Sequence, residues 1–542
     1  MSDGPKNRRR TWLWGVAAGV GLLLLLPGVW LVQLFRALPS GFPPGPRTTV
    51  LDGPLDEEGY VDYAAYFREA AFVPPAENGA KPYLETIQAE LMSELTPEEW
   101  SDVLRTFDLP VRPDPAVQFL PAEAFWAEKA AEGVTRDAFD AEYETARTQP
   151  WSESDVPVAA EWLRRNEGAV ARFAEVADFE RYWDAHAVLD DRSRAARLRR
   201  GRIRDLFRAL TARAYRSAGA DDWDGAFADA DRMLKIARTH PEPPTLADTL
   251  LRNGLYAIAS ALERRLLART EDAGLLRRRL AILETGSPPR FYRSMCREGL
   301  RFSCLEELQE WDREVRGLVE TPRLSKAHLK TASAFTRRRL LRRVDLVEIA
   351  GRVNDYFDAA ETAAGAEPAA ALAIIEAVPY ERRSTLFGEK ANVAELLSDR
   401  GAINDLIGGT VVLPLDLIWR SERRLRSGVA LSRIQAAGRL YEVERGRPPA
   451  SRGDLVPAYL PAWPDEPLNG GPVSDGTYEG VWVAYVPDDR WVYHPSPPPH
   501  LRVEFGGDLP EGYDANAPTG DAGGVWDLPL IEPSEDAETF ED

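Results

Sequence analysis

Residues 203–239 read IRDLFRALTARAYRSAGADDWDGAFADADRMLKIART, and the apolar spacing in this stretch decides the fold class. From Ile203 to Ala218, residues Leu206, Leu210, Ala214 and Tyr215 share one face of a helix. From Trp223 to Thr239, residues Ala226, Ala230, Leu234 and Ile236 do the same. The joint Ser217–Asp222 carries a C-cap glycine and an N-cap aspartate, so the two helices turn back on each other. A third helix is expected from Thr245 to Leu267, with Leu250, Leu251, Leu255, Ile258 and Leu262. The same Ala/Leu/Arg/Glu-rich pattern, broken by Gly and Pro, extends over residues 61–425. The expected fold class is therefore mainly α, an antiparallel helical body.

Residues 203–239 resemble a tetratricopeptide unit, with a small-residue helix, a Gly-containing turn and a helix of the A-x-x-x-A kind. No second copy follows at a 34-residue period, so the resemblance implies one helix pair and not a repeat array.

Toward the N-terminus, Thr11–Phe35 reads TWLWGVAAGVGLLLLLPGVWLVQLF, 25 residues without a charge. At ~1.5 Å per residue it spans roughly 37 Å, enough to cross a hydrocarbon core of about 30 Å. Trp12, Trp14 and Trp30 sit toward its ends, where amphipathic rings favour the headgroups. Residues 1–10 form a basic tail in which Lys6, Arg8, Arg9 and Arg10 outweigh Asp3, which places that tail in the cytoplasm. A single transmembrane helix is expected at 11–36, in an inner membrane, with the bulk of the chain periplasmic or otherwise extracytoplasmic. The rival reading is a cleaved signal peptide. The long apolar run, followed by Arg36-Ala37-Leu38-Pro39-Ser40 without an A-x-A-like site, favours the uncleaved anchor. Residues 37–60, with LPSGFPPGP at 38–46, read as a Pro/Gly-rich stalk that lifts the body off the bilayer.

The chain of 542 residues has a formal charge of −20, and because the first ten residues carry +3 the remainder carries −23. Such an acidic body is repelled by phosphate backbones, which excludes nucleic acid as an expected partner. After Arg502 no Lys or Arg occurs, and residues 531–542 form an acidic tail. Cys296 and Cys304 are the only cysteines. On one continuous helix their Cα atoms would lie ~12 Å apart, beyond the ~7 Å limit of a disulfide. They pair only if the chain turns around Gly299; otherwise they are two buried thiols.

Residues 426–530 change character, with Gly and Pro frequent and the stretches Gly480–Val486 and Arg490–Tyr493 reading as a β-hairpin. A small C-terminal α+β domain is expected there. Residues 433–472, RIQAAGRLYEVERGRPPASRGDLVPAYLPAWPDEPLNGGP, resemble the C-terminal part of the major pseudopilins of type II secretion. The shared frame is a helix ending in Leu440-Tyr441, then Gly446-Arg447-Pro448-Pro449, Asp454–Pro457, Tyr459-Leu460-Pro461 and Pro464–Pro467. Where that frame has Asp-Pro-Phe this chain has Asp465-Glu466-Pro467, and Arg10–Leu13 shows no prepilin-peptidase site. The layout as a whole is similar to a family of uncharacterised bacterial membrane-anchored proteins with a terminal pseudopilin-like domain.

Motifs for chemistry are sparse. His186, His240, His328, His494 and His500 include no i, i+4 pair, and no H-E-x-x-H, P-loop, dinucleotide fingerprint or nucleophile elbow occurs. Arg337, Arg338, Arg339, Arg342 and Arg343 lie near Asp345 and Glu348 and read as an ion-paired helix face. Asp514, Asn516 and Asp521, in the Gly-rich stretch 512–524, could converge on Ca²⁺, as the pseudopilin resemblance implies; plain turns have the same composition. No other cofactor is implied. The functional expectation is a membrane-tethered extracytoplasmic interaction or scaffold protein with a protein partner in the cell envelope. The alternatives are an accessory of a secretion or pilus-like system, and an enzyme with an unrecognised active site in the helical body.

Overall fold

The computed structural model describes residues 42–70, 72–183, 194–239, 246–286, 292–316, 345–366, 370–371, 373–374, 415–465, 472–478, 481–486 and 491–493. The tail 1–10, the anchor 11–36, all five histidines, Arg337–Arg343, the calcium candidates Asp514, Asn516 and Asp521, and the tail 531–542 lie outside them. Among the described residues no helix is long and apolar enough to cross a membrane.

The protein is mainly α. Small helices come first: α1 Tyr63–Ala70, α2 Ala80–Thr86, α3 Gln88–Glu94, α4 Pro97–Phe107, α5 Ala122–Ala131, α6 Arg136–Thr148, α7 Pro157–Arg165 and α8 Glu167–Ala174. Their ends are set by local chemistry. At α4, Thr96 and Glu99 form a reciprocal capping box. Buried Asn166 ties the α7–α8 junction to the loop before α5, accepting from Leu120 N at 2.7 Å and donating to Leu120 O at 3.1 Å.

The centre is built from α9 Arg194–Gly219, α10 Trp223–Thr239, α11 Leu246–Arg269 and α12 Ala273–Thr285. Leu206, Leu210, Ala214 and Tyr215 are fully buried, as their spacing anticipated. Arg213 grips Asp229 with two bonds of 2.8 and 2.6 Å, and Thr211 lies against Met233. Positions that rise along α9 meet positions that fall along α10, so the pair is antiparallel. At the joint the left-handed conformation falls on Asp221 (φ 64), not on Gly219. Gly219 is needed for a different reason: a Cβ there would lie 2.1 Å from the carbonyl oxygen of Trp151. Asp222 caps α10, accepting from Gly225 N at 2.9 Å.

After α12, the turn Tyr292–Ser294 and a π-helical turn Met295–Gly299 lead into α13 Leu300–Arg316, and α14 Leu346–Ala364 packs beside it. Cys296 and Cys304 fall in this continuous helical stretch as buried thiols with no disulfide between them, which settles between the two readings of that pair.

The helix α15, Leu415–Arg445, has 31 residues and is about 46 Å long. Asn253 of α11 meets Ser421, and Arg439 reaches Thr270 O, so α15 runs parallel to α11. Arg433 donates to Leu283 O and Arg277 pairs with Glu444, so it runs antiparallel to α12. This helix spans the position 425/426 at which a domain boundary is expected. It crosses that position without a break because its buried residues, from Ile418 to Tyr441, pack on the body along its length.

Gly446, in the left-handed region at φ 69, ends α15 and donates to Glu442 O at 2.8 Å. The following segment folds back: Leu455 and Leu460 are buried, and the Tyr459 hydroxyl donates to Glu444 at 2.8 Å. Strands β1 Ser474–Tyr478, β2 Val481–Val486 and β3 Trp491–Tyr493 form an antiparallel sheet in that order. Val486 stands opposite Trp491 and Ala484 opposite Tyr493. β2 and β3 lie against α15.

The stalk expected at 37–60 is corrected over its described part. Phe42, Thr48, Thr49 and Tyr60 are buried against the body, and Asp312 of α13 accepts hydrogen bonds from both Phe42 N and Tyr60. Pro/Gly composition signalled irregular backbone correctly. It could not signal that this backbone finds its partners some 250 residues further on.

Candidate functional site

Two arrangements of polar groups stand out from the apolar core. One runs along α11, where Asp248, Thr249, Arg252, Asn253, Ser260, Glu263 and Arg264 are all buried. Burying such groups is unfavourable unless they are paired, so each requires a partner from a surrounding helix. At the N-terminal end of α11, Arg199 of α9 reaches Asp248 at 3.3 Å and Arg200 approaches it at 3.8 Å. Thr249 donates to the sulfur of Met295 in the π turn at 2.9 Å. Asn253 donates to Ser421 at 2.9 Å, and the neighbouring Glu422 accepts from Tyr292 N at 2.7 Å. Four chain segments therefore meet at one polar junction.

At the other end, Arg279 of α12 binds both oxygens of Asp231 at 2.8 and 2.6 Å and pairs with Glu263. Its guanidinium lies 4.9 Å from the ring centroid of Phe227. Burial pushes the Glu263 carboxyl above its ordinary value, against the pull of Arg279. Burial likewise lowers Arg264 to about 10, opposed by Glu263. These polar contacts tie α9, α12 and α15 to α11, and α10 to it through Arg279.

The second arrangement is a clamp between residues 42–63 and the helices α13 and α14. Gln309 is fully buried and satisfies both main-chain groups of Val61, accepting from its N–H at 2.8 Å and donating to its carbonyl at 2.9 Å. Asp312 accepts from Phe42 N at 3.2 Å and from the Tyr60 hydroxyl at 2.7 Å. Arg313 pairs with Asp56 and lies 4.5 Å from the centroid of the Tyr60 ring. Tyr63 stacks on Phe302 at 5.0 Å and donates to Thr49 O at 2.8 Å. Burial, with Glu306 adding to it, pushes the Tyr63 hydroxyl well above its ordinary value, so it remains a donor. On the α14 side, Asn354 donates to Arg47 O at 3.2 Å.

Among the described residues no group of three or more His, Cys, Asp or Glu side chains is placed to hold a metal ion. Burial pushes the Cys296 thiol up to about 12, which suppresses its thiolate. The sequence-derived calcium set falls outside the described residues. Neither the charged row nor the clamp was read from the sequence. The row left one trace: polar residues at 248/252, 249/253 and 260/264 recur four apart, the spacing of a single helical face.

No protein-family model, no curated protein and no solved structure matches this chain.

Proposed function

We propose that this chain is a membrane-tethered, extracytoplasmic interaction or scaffold protein. In this reading residues 11–36 are the single transmembrane helix, residues 1–10 remain in the cytoplasm, and the helical body is held in the cell envelope to receive a protein partner. The observation that carries the reading is the clamp. Residues 42–63, the first described stretch beyond the apolar run, are fastened to α13 and α14 by buried hydrogen bonds. A chain so fastened transmits the position of its anchor to the body. The antiparallel pair α9–α10 supports a tetratricopeptide-like surface for the partner, because helix pairs of this kind present extended faces on a rigid frame.

A second reading, an accessory of a secretion or pilus-like system, draws on the C-terminal part. A long helix ended by Gly446, a folded-back segment and an antiparallel sheet against that helix are what a pseudopilin-like α+β module would contain.

Crosslinking in intact membranes, followed by purification of the full chain, tests both readings. A discrete adduct with an envelope protein is expected. Secretion components in that adduct would favour the second reading, and a lone monomer would contradict both.

A further inference from the structure

Resting on the reading of 11–36 as the membrane anchor, we infer that the clamp holds the helical body against the lipid surface, with the α13–α14 side toward the headgroups. The inference follows from chain length. The apolar run ends at Phe35-Arg36, and Phe42 is already buried in the body. Only residues 37–41 lie between them. Six peptide steps of ~3.3–3.6 Å reach roughly 20 Å when fully extended, whatever conformation those residues adopt. The headgroup layer takes up about 5–8 Å of that on each side of the hydrocarbon core. The remaining reach is close to the diameter of one helix, about 10–12 Å. A stalk of residues 37–60 would have allowed several times that separation, but the described part of it belongs to the body.

The partner surface defined in this way is the bilayer itself. The position is imposed by the covalent tether and the clamp, not by electrostatic attraction, since residues 11–542 carry −23 and anionic lipid would repel them. Three of the clamp's contacts are to main chain, so they do not depend on which side chains the strap carries there. Gln309 holds the backbone of Val61, and Asn354 holds the backbone of Arg47.

The test places a fluorophore on Asp355→Cys, an exposed position of α14 next to Asn354. The native thiols do not compete, because Cys296 and Cys304 are 0% and 3% exposed. The full chain is reconstituted into phosphatidylcholine vesicles carrying an energy-transfer acceptor on a fraction of the headgroups. It is compared with the same chain carrying a ~40-residue Gly/Ser linker between Ala37 and Leu38, whose r.m.s. span is roughly 35 Å. Transfer at least twofold stronger in the chain without the linker is the expected result. Equal transfer in two proteins that both float with the vesicles would overturn this inference and leave the anchor standing. Failure of the chain without the linker to float with vesicles would overturn the anchor and this inference together.

Discussion

Gln309 and Val61, 248 residues apart, exchange two hydrogen bonds inside the protein, at 2.8 and 2.9 Å. A glutamine amide paired with both polar groups of one residue imitates the edge of a β-strand. It fastens an irregular segment to a helix that has no backbone donors to spare. The pairing explains why residues 42–61 fold with the body although they contain no regular element.

Replacing Gln309 by Ala should orphan both main-chain groups of Val61 in a dry site. Each buried group left unpaired costs about 1–3 kcal/mol, so the variant should lose roughly 2–6 kcal/mol of stability. Chemical denaturation reads the total. Amide exchange at Val61 reads the local opening, which should accelerate before exchange at Leu210 does.

Gly219 and Gly201 provide a contrast within one helix. Gly201→Ala meets nothing within 4 Å and should stabilise by about 0.5–1 kcal/mol through helix propensity. Gly219→Ala would drive its Cβ to 2.1 Å from the Trp151 carbonyl, and the displaced loop should cost about 1–3 kcal/mol. Thermal melts of the two variants should move in opposite directions.

Arg279→Ala should be severe, about 3–5 kcal/mol, because it leaves Glu263 buried beside Asp231 without the guanidinium that binds both. The pH dependence has a definite sign. The folded-state value of Glu263 already lies above its ordinary 4.5 and rises further once Arg279 is gone. The protonated form is then favoured by the fold. The contribution of this group to stability is highest below 4.5 and falls as pH rises through the raised value. Relative to the unsubstituted chain, the variant should therefore recover on acidification from neutral pH. Replacing Arg279 and Glu263 together by Met and Leu should cost far less than Arg279→Ala alone. A denaturation series across pH on the three proteins measures both effects.

Cys296 and Cys304 should resist maleimide at neutral pH in the folded chain and react completely once it is denatured. Mild oxidants should leave them unpaired, since both sit in one helical stretch. Mass spectrometry of alkylated samples provides the check, and a native disulfide would contradict the placement of α13.

What the sequence made legible was local. The bounds of α10, the buried face of α9 and the stop at Gly446 follow from spacing and turn chemistry. The start of α9 did not, because Arg194–Arg202 shows no apolar periodicity. It is held to the body by the small buried residues Ala195 and Ala196 and by pairs such as Arg202 with Glu90, 112 positions away. Residues 42–60 were read as a stalk because their composition suits one; the partners that fold them, Gln309 and Asp312, are invisible at that distance. For α11 the leucines suggested a single apolar face, whereas the helix is enclosed and its charges are paired inside. A buried Asp and an exposed Asp are the same letter until the partner is known.

Topology provides the decisive check. A reporter enzyme that matures only outside the cytoplasm, fused after Asp542, should be active if residues 11–36 anchor the chain with its body extracytoplasmic. A fusion that is stably expressed yet silent would contradict that topology.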